Sequence, residues 1–198
     1  KTHIDLDNIY INFYRLSIID IPTGSQPMTD IDNNFTIFFN GEIYNFLGLK
    51  EELLKEGSKF KTNSDTEVLL EIFNKFGIKG VEKLNGMFSI CLIDNKKNLT
   101  YLIRDQFGIK PLYYKQDKNS IKFSSEAKTL LEENIKIEEN SLGQYLRYQF
   151  YLDNCIPNSG INSVEPGTYI EIKNKTGEIK LKEYFKIKFL NNMDSRTN

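Results

Sequence analysis

Five positions carry side chains whose type and spacing could do chemistry. Arg15 sits inside a strand-like run at residues 14–20. Asn40-Gly41-Glu42 directly follows the apolar run Phe35-Thr36-Ile37-Phe38-Phe39, and Asp65 lies in Ser64-Asp65-Thr66-Glu67. A planar guanidinium such as that of Arg15 suits bidentate capture of a carboxylate better than a lysine would. An asparagine amide beside a glycine N–H offers two hydrogen bonds to one developing oxyanion, and glycine lets a substrate approach the backbone. Glu42 and Asp65 are carboxylates that could each hold an ammonium group. Every one of these residues also has a purely structural reading. Arg15 could snorkel or pair with a nearby acid, and Asn40-Gly41-Glu42 reads as a turn that ends a strand. Asp65 reads as an acid favoured by the dipole at a helix N-terminus, an effect worth roughly 0.3–1 kcal/mol. Taken together, a carboxylate clamp, an oxyanion hole and an ammonium site match an α-amino acid whose side-chain carbonyl is attacked, and glutamine fits that description.

The elements that must position these groups follow from periodicity. Residues 9–20 are strand-like, dense in Ile, Tyr and Phe, and are followed by a turn-rich patch containing Pro22, Gly24 and Pro27. Residues 35–39 form the next strand. Asn45 is placed to cap a helix running to about Lys55, with Phe46, Leu49, Leu53 and Leu54 on one face and Gly57 ending it. Ser64-Asp65-Thr66-Glu67 has the form of a capping box. The helix behind it carries Val68, Leu69, Ile72, Phe73 and Phe76 and stops at Gly77. Three hairpins are expected, pairing residues 87–94 with 99–104, 111–115 with 121–124, and 168–172 with 179–184. Short helical stretches fall at about 126–131 and 141–148. Hairpins dominate, so the class is α+β with antiparallel sheets. Arg104-Asp105-Gln106-Phe107-Gly108-Ile109-Lys110-Pro111 reads as a salt-bridged turn into a strand, and residues 191–198 as a polar linker.

The bulk properties exclude several classes of function. The chain has 198 residues, 26 basic and 27 acidic, and a net charge of -1, so nothing attracts nucleic acid or an anionic membrane electrostatically. No apolar run approaches the ~18 residues that a membrane-spanning helix needs, and no signal peptide is expected. His3 is the only histidine, which removes His-dependent triads and His-ligated zinc sites. Asp30-x-Asp32-x-Asn34 starts like a calcium loop but has Phe35 where glycine and Gly41 where glutamate is required. There is no phosphate-binding glycine loop. Of the two cysteines, Cys91 lies in an apolar run and reads as a small buried hydrophobe, and Cys155 lies in a polar loop. Two thiols make no disulfide framework, so a reducing, cytoplasmic compartment is expected. The sequons at Asn98 and Asn174 read as chance in an asparagine-rich chain.

The ordered set RLSIID, QPM, FNGEIYN, SDTEV, LNGMF, RDQFGIKPLYY and SSEAKTLL resembles the glutaminase domain of the asparagine synthetases, from about Arg15 to Tyr184. That domain is a class II glutamine amidotransferase of the N-terminal-nucleophile hydrolase fold. The resemblance implies a four-layer αββα sandwich of two antiparallel sheets, here without its first strand. It implies a domain over residues 1–188 and a linker over 189–198. L-glutamine would be the substrate. Arg15 would bind its α-carboxylate, with Leu16, Ser17, Ile18 and the backbone around Ile19 completing that end. Asn40 and Gly41 would form the oxyanion hole, and Glu42 and Asp65 would hold the α-amino group. No metal or cofactor is implied in this chain. ATP and magnesium belong to a C-terminal synthetase domain that receives the ammonia and converts aspartate to asparagine. A homodimer is left open.

The family nucleophile is an N-terminal cysteine that uses its own α-amine as base. No cysteine precedes Arg15, and the chain starts with Lys1 rather than methionine. The expectation is therefore a segment of a longer enzyme, inactive by itself. Phe13 stands where the family often has histidine. Two other readings remain at this stage: a class II amidotransferase with a different ammonia acceptor, and a non-catalytic glutamine-binding module. Against the second, all five pocket positions are present.

Overall fold

The run Phe35-Thr36-Ile37-Phe38-Phe39 is buried along its whole length, and that organises the molecule. A strand points alternate side chains to opposite faces. A strand buried on both faces must therefore lie in a sheet covered from both sides. The computed structural model of the chain describes residues 2–6, 9–13, 24–118, 120–132, 139–149, 155–156 and 160–187. In chain order it contains β1 (Thr2–Leu6), β2 (Ile9–Phe13), β3 (Met28–Thr29), β4 (Phe35–Ile43), α1 (Phe46–Lys55) and α2 (Asp65–Phe76). A 3-10 segment, Gly77–Lys83, leads to β5 (Gly86–Asp94), β6 (Leu99–Arg104), β7 (Tyr113–Gln116) and β8 (Ile121–Ser124). A second 3-10 turn, Ala127–Leu130, is followed by α3 (Glu139–Tyr148), β9 (Cys155–Ile156), β10 (Ile161–Ser163), β11 (Thr168–Lys173) and β12 (Ile179–Glu183).

Among the described residues the strands form a six-stranded antiparallel sheet in the order β12-β11-β6-β5-β4-β3, a four-stranded sheet in the order β8-β7-β10-β9, and the β1-β2 pair. Phe35, Ile37, Phe39, Phe88, Ile90, Leu92, Tyr101 and Ile103 face α1 and α2, where Leu49, Leu53, Leu69, Ile72 and Phe73 meet them. Phe38, Cys91, Ile93, Leu102, Ile170 and Ile172 face the other way, against Leu112 and Val164 with Tyr114, Ile121 and Phe123. Helices, central sheet and second sheet are thus stacked, which is the α+β sandwich expected from the sequence. Each such buried side chain contributes about 1.5–3 kcal/mol relative to leaving it in water.

The three expected hairpins are present, with ends that differ by one or two residues. Residues 9–13 of the first strand-like run lie in β2, and 14–20 fall outside the described residues, as does the expected linker. β1 lies outside the strand-like run expected from residue 9. Leu54 is half-exposed, so the packed face of α1 consists of Phe46, Leu49 and Leu53 only. Asn45 precedes α1 without a side-chain cap bond. Its amide reaches across to Lys83 O (2.9 Å) and accepts from Asn85 N (3.0 Å), because these tertiary partners compete with the helix end.

The turn from Arg104 differs from the expected salt bridge. Its guanidinium donates to the carbonyls of Lys110, Val164 and Gly108 and to the Ser163 hydroxyl. The fully buried Asp105 carboxylate accepts the N–H groups of Phe88, Phe107, Ile109 and Lys110. Both charges bind backbone because the irregular turn leaves those groups without a ladder partner. Tyr184 donates to Arg104 O at 2.6 Å, and burial pushes its phenol pKa up. Asp105→Ala orphans four donors, so it is expected to lower the unfolding free energy by about 3 kcal/mol or more. Urea denaturation checks this, and a loss under about 1 kcal/mol would contradict the assignment.

Candidate functional site

The strand expected to stop at Phe39 does not stop there. β4 runs on to Ile43, with Asn40 opposite Ser89, Gly41 opposite Phe88, Glu42 opposite Met87 and Ile43 opposite Gly86. The side-chain alternation breaks at Asn40, but a hydrogen-bond ladder needs only a partner backbone, and β5 supplies one. Two glycines let the backbones come close at this point. A Cβ on Gly41 (φ +155) would lie 2.0 Å from Met87 O and 2.7 Å from Phe88 Cα. A Cβ on Gly86 would lie 2.2 Å from Glu42 O. The pair explains why FNGEIYN and LNGMF both carry a glycine after an asparagine.

The direction of the backbone amides along this edge follows from register. Asp105 N donates to Phe88 O and Phe88 N donates to the Asp105 carboxylate, so Phe88 turns both groups away from β4. Gly41, opposite Phe88, is therefore a non-hydrogen-bonded position, and its N–H points to the far edge of β4. Phe39 and Ile43 point the same way. There Phe39 N–H reaches Gln26 Oε1 (2.7 Å) and Ile43 N–H reaches Asp65 Oδ2 (3.4 Å). β3 pairs only with Thr36 and Ile37 and ends before this point. The Gly41 N–H is left facing the cavity between two amides that side chains have capped. The Asn40 side chain beside it is exposed and makes no hydrogen bond to a described residue.

Asp65 opens α2 and is 5% exposed. Ser64 caps the helix, its Oγ accepting from Thr66 N at 3.1 Å. The expected capping box closes differently: Glu67 accepts from Lys61 N, Thr62 N and Thr62 Oγ1 instead of returning to Ser64, whose N–H is taken by Thr62 Oγ1. Burial raises the Asp65 carboxyl above its ordinary pKa and the nearby Glu42 charge adds to that, while the Ile43 and Thr66 N–H groups offset part of it. Two carboxylates held together at a cavity wall favour a cationic guest.

That wall belongs to a cavity of about 1360 Å³ that reaches between the two sheets and is lined at this end by Gln26, Asn40, Gly41, Glu42, Asp65 and Thr66. The structure thus brings together four of the expected site residues. Arg15, Leu16, Ser17, Ile18 and Ile19 lie outside the described residues. Gln26 and Thr66 were missed as contributors, since a glutamine and a helix threonine carry no charge or ligand signature. Cys91 is buried and its thiol is pushed up to about 12, so it is no thiolate. Among the described residues no three His, Cys, Asp or Glu side chains gather as metal ligands. Nor is any described helix long and apolar enough to cross a membrane.

Comparison with known proteins adds to this geometry. A family model described as glutamine amidotransferase domain matches residues 2–185. Asparagine synthetase [glutamine-hydrolyzing] 1 of Bacillus subtilis is 40% identical over 185 residues, covering 92% of this chain and 29% of the relative. Asparagine synthetase [glutamine-hydrolyzing] 2 of the same organism is 35% identical over 193 residues, covering 93% of this chain and 25% of the relative. The chain therefore spans less than a third of the length of these relatives. The solved structure of B. subtilis glutamine phosphoribosylpyrophosphate amidotransferase superposes with a TM-score of 0.55 at 21% identity, over 81% of this chain and 32% of that one. At that identity the likeness concerns the fold alone.

Proposed function

The chain belongs to the glutamine amidotransferase domain family, and from that premise we propose that it is the glutaminase part of an asparagine synthetase, over residues 1–188, with 189–198 leading to the synthetase domain. The observation that carries the reading is the Gly41 N–H beside the Asn40 carboxamide, neither of which is taken up by a described residue. Two donors on adjacent residues of one cavity wall suit the oxyanion that forms when an amide carbonyl is attacked. In this reading the γ-carbonyl of L-glutamine lies against them. Glu42 and Asp65 take its α-ammonium group, and Arg15 takes its α-carboxylate, with residues 16–19 completing that end.

The attacking thiolate comes from a cysteine at the mature N-terminus, upstream of Lys1, whose α-amine accepts the thiol proton. The C–S bond forms, and the tetrahedral oxyanion rests on Asn40 and Gly41. The C–N bond breaks as the α-amine returns the proton to the leaving ammonia. Water then cleaves the thioester to glutamate. The ammonia acceptor, aspartate activated with ATP and magnesium, belongs to the synthetase domain. The cytoplasm is the proposed compartment.

N-terminal sequencing and intact mass of the native protein, together with an assay of glutamate release, test the proposal. The expected result is a mature chain that begins with cysteine upstream of Lys1, is far heavier than 23.1 kDa, and hydrolyses glutamine. A native chain that begins near Lys1 and releases no glutamate would leave a glutamine-binding pocket without an enzyme.

A further inference from the structure

We propose that Gln26 is a positioning residue, its carboxamide tying β4 to the start of α2 so that Asn40 and Gly41 stay aimed at the reacting carbonyl. The inference rests on the glutaminase reading and adds a residue that acts through others. Gln26 Oε1 accepts the N–H of Phe39, the residue before Asn40, at 2.7 Å. Its Nε2 donates to Thr66 Oγ1 at 3.3 Å, in the first turn of α2 beside Asp65. Four residues further along β4, Ile43 N–H binds Asp65 Oδ2 at 3.4 Å. The oxyanion-binding tripeptide is therefore spanned by two ties to the same helix terminus.

The need for such a tie is visible in the chain. Beside Phe39 the β3 ladder has already ended, so no neighbouring backbone carbonyl of β3 is paired with its N–H. The β3 ladder registers only Met28 with Ile37 and Thr29 with Thr36. The Gln26 side chain supplies the acceptor that a neighbouring strand would otherwise give to Phe39. A carboxamide suits the position because it carries an acceptor and a donor at once. Thr66 is 1% exposed, and its own N–H is fixed by Ser64 Oγ, so the far end of the tie is anchored in the core. Losing the tie would let β4 move relative to α2, and a displacement on the order of 1 Å at a reacting site can cost about 10²-fold in rate.

The test uses the full-length native protein and measures glutamate release for the parent, Gln26→Met, Thr66→Val and the double variant. Gln26→Met is expected to lower kcat about 10²-fold with KM within about threefold, and Thr66→Val to lower kcat about tenfold. Because both substitutions cut one tie, the double variant is expected to match Gln26→Met instead of multiplying the losses. A residue serving stability alone would lower Tm and leave kcat per folded molecule unchanged. That result, or a tenfold rise in KM at parental kcat, would overturn the proposal. Amide hydrogen exchange reads the tie without turnover. Phe39 N–H is expected to exchange at least about tenfold faster in Gln26→Met and, should that variant not fold, in Thr66→Val. Parental exchange there would also overturn the proposal. A parent that releases no glutamate would defeat the glutaminase reading instead, and the Phe39 exchange would still decide the tie.

Discussion

Asn40→Ala in the full-length protein is expected to lower kcat for glutamine hydrolysis by about 10²–10³ while KM changes little, as loss of one oxyanion donor does. The asymmetry between kcat and KM follows from geometry. The Asn40 amide is exposed, lines the cavity and hydrogen-bonds no described residue, so it holds no described part of the fold in place. Its hydrogen bond matters when negative charge gathers on the carbonyl oxygen, and the ground-state amide gains much less from it. The Gly41 N–H remains in the variant, which is why activity falls and does not vanish. The melting temperature should stay within a degree or two of the parent. A variant with kcat within threefold of the parent would remove Asn40 from the site. One with unchanged kcat and a large rise in KM would make it a binding contact.

Asp65→Asn is expected to separate substrate recognition from stability. In the free protein the folded carboxyl has a pKa above its ordinary value of 3.8, with burial the largest cause; the Ile43 and Thr66 N–H groups offset part of it and the Glu42 charge adds a smaller rise. A folded pKa above the unfolded one means that the folded state binds the proton more tightly. Stability then falls as pH rises from the unfolded value through the folded one, and the full cost persists above it. The helix dipole favours the charge by roughly 0.3–1 kcal/mol, yet the net shift is upward, so burial and the Glu42 charge outweigh it. Asparagine keeps an oxygen for the Ile43 N–H and removes the charge. The variant should therefore melt a few degrees higher than the parent at pH 7, with the gain shrinking as pH falls toward 3.8 and vanishing below it. Glutamine binding should move the other way. Truncating one partner of a desolvated charge pair costs about 2–5 kcal/mol, so KM should rise by roughly 10²-fold while kcat changes less. Thermal stabilisation by added glutamine should be lost in parallel. A variant less stable than the parent at pH 7, or one with a parental KM, would contradict the assignment of Asp65 to the ammonium group.

The legible and the illegible parts of this site divide along one line. The limits of α2, its Ser64 cap and its stop at Gly77 (φ +59) could be read from neighbours in the chain, because helix signals act within a turn or two. The hairpin joining β5 and β6 came from a polar turn between apolar runs for the same reason. Where Glu67 or Asn45 would direct its side chain could not be read, since partners several residues away or across the sheet took them from the local motif.

By itself the sequence determined the α+β class, the order of most elements and four of the residues delivered to the cavity, Asn40, Gly41, Glu42 and Asp65. Side-chain periodicity and turn chemistry are local, and the asparagine-glycine-glutamate tripeptide follows its strand whatever lies beyond. Only the tertiary structure decided that β4 continues past Asn40, that the Gly41 N–H is the one left open, and that Gln26 closes the neighbouring position. Those outcomes depend on which backbone faces which. An amide is free or capped according to its partner strand, and the register with β5, the end of β3 and the approach of α2 are set by packing between segments far apart in the chain.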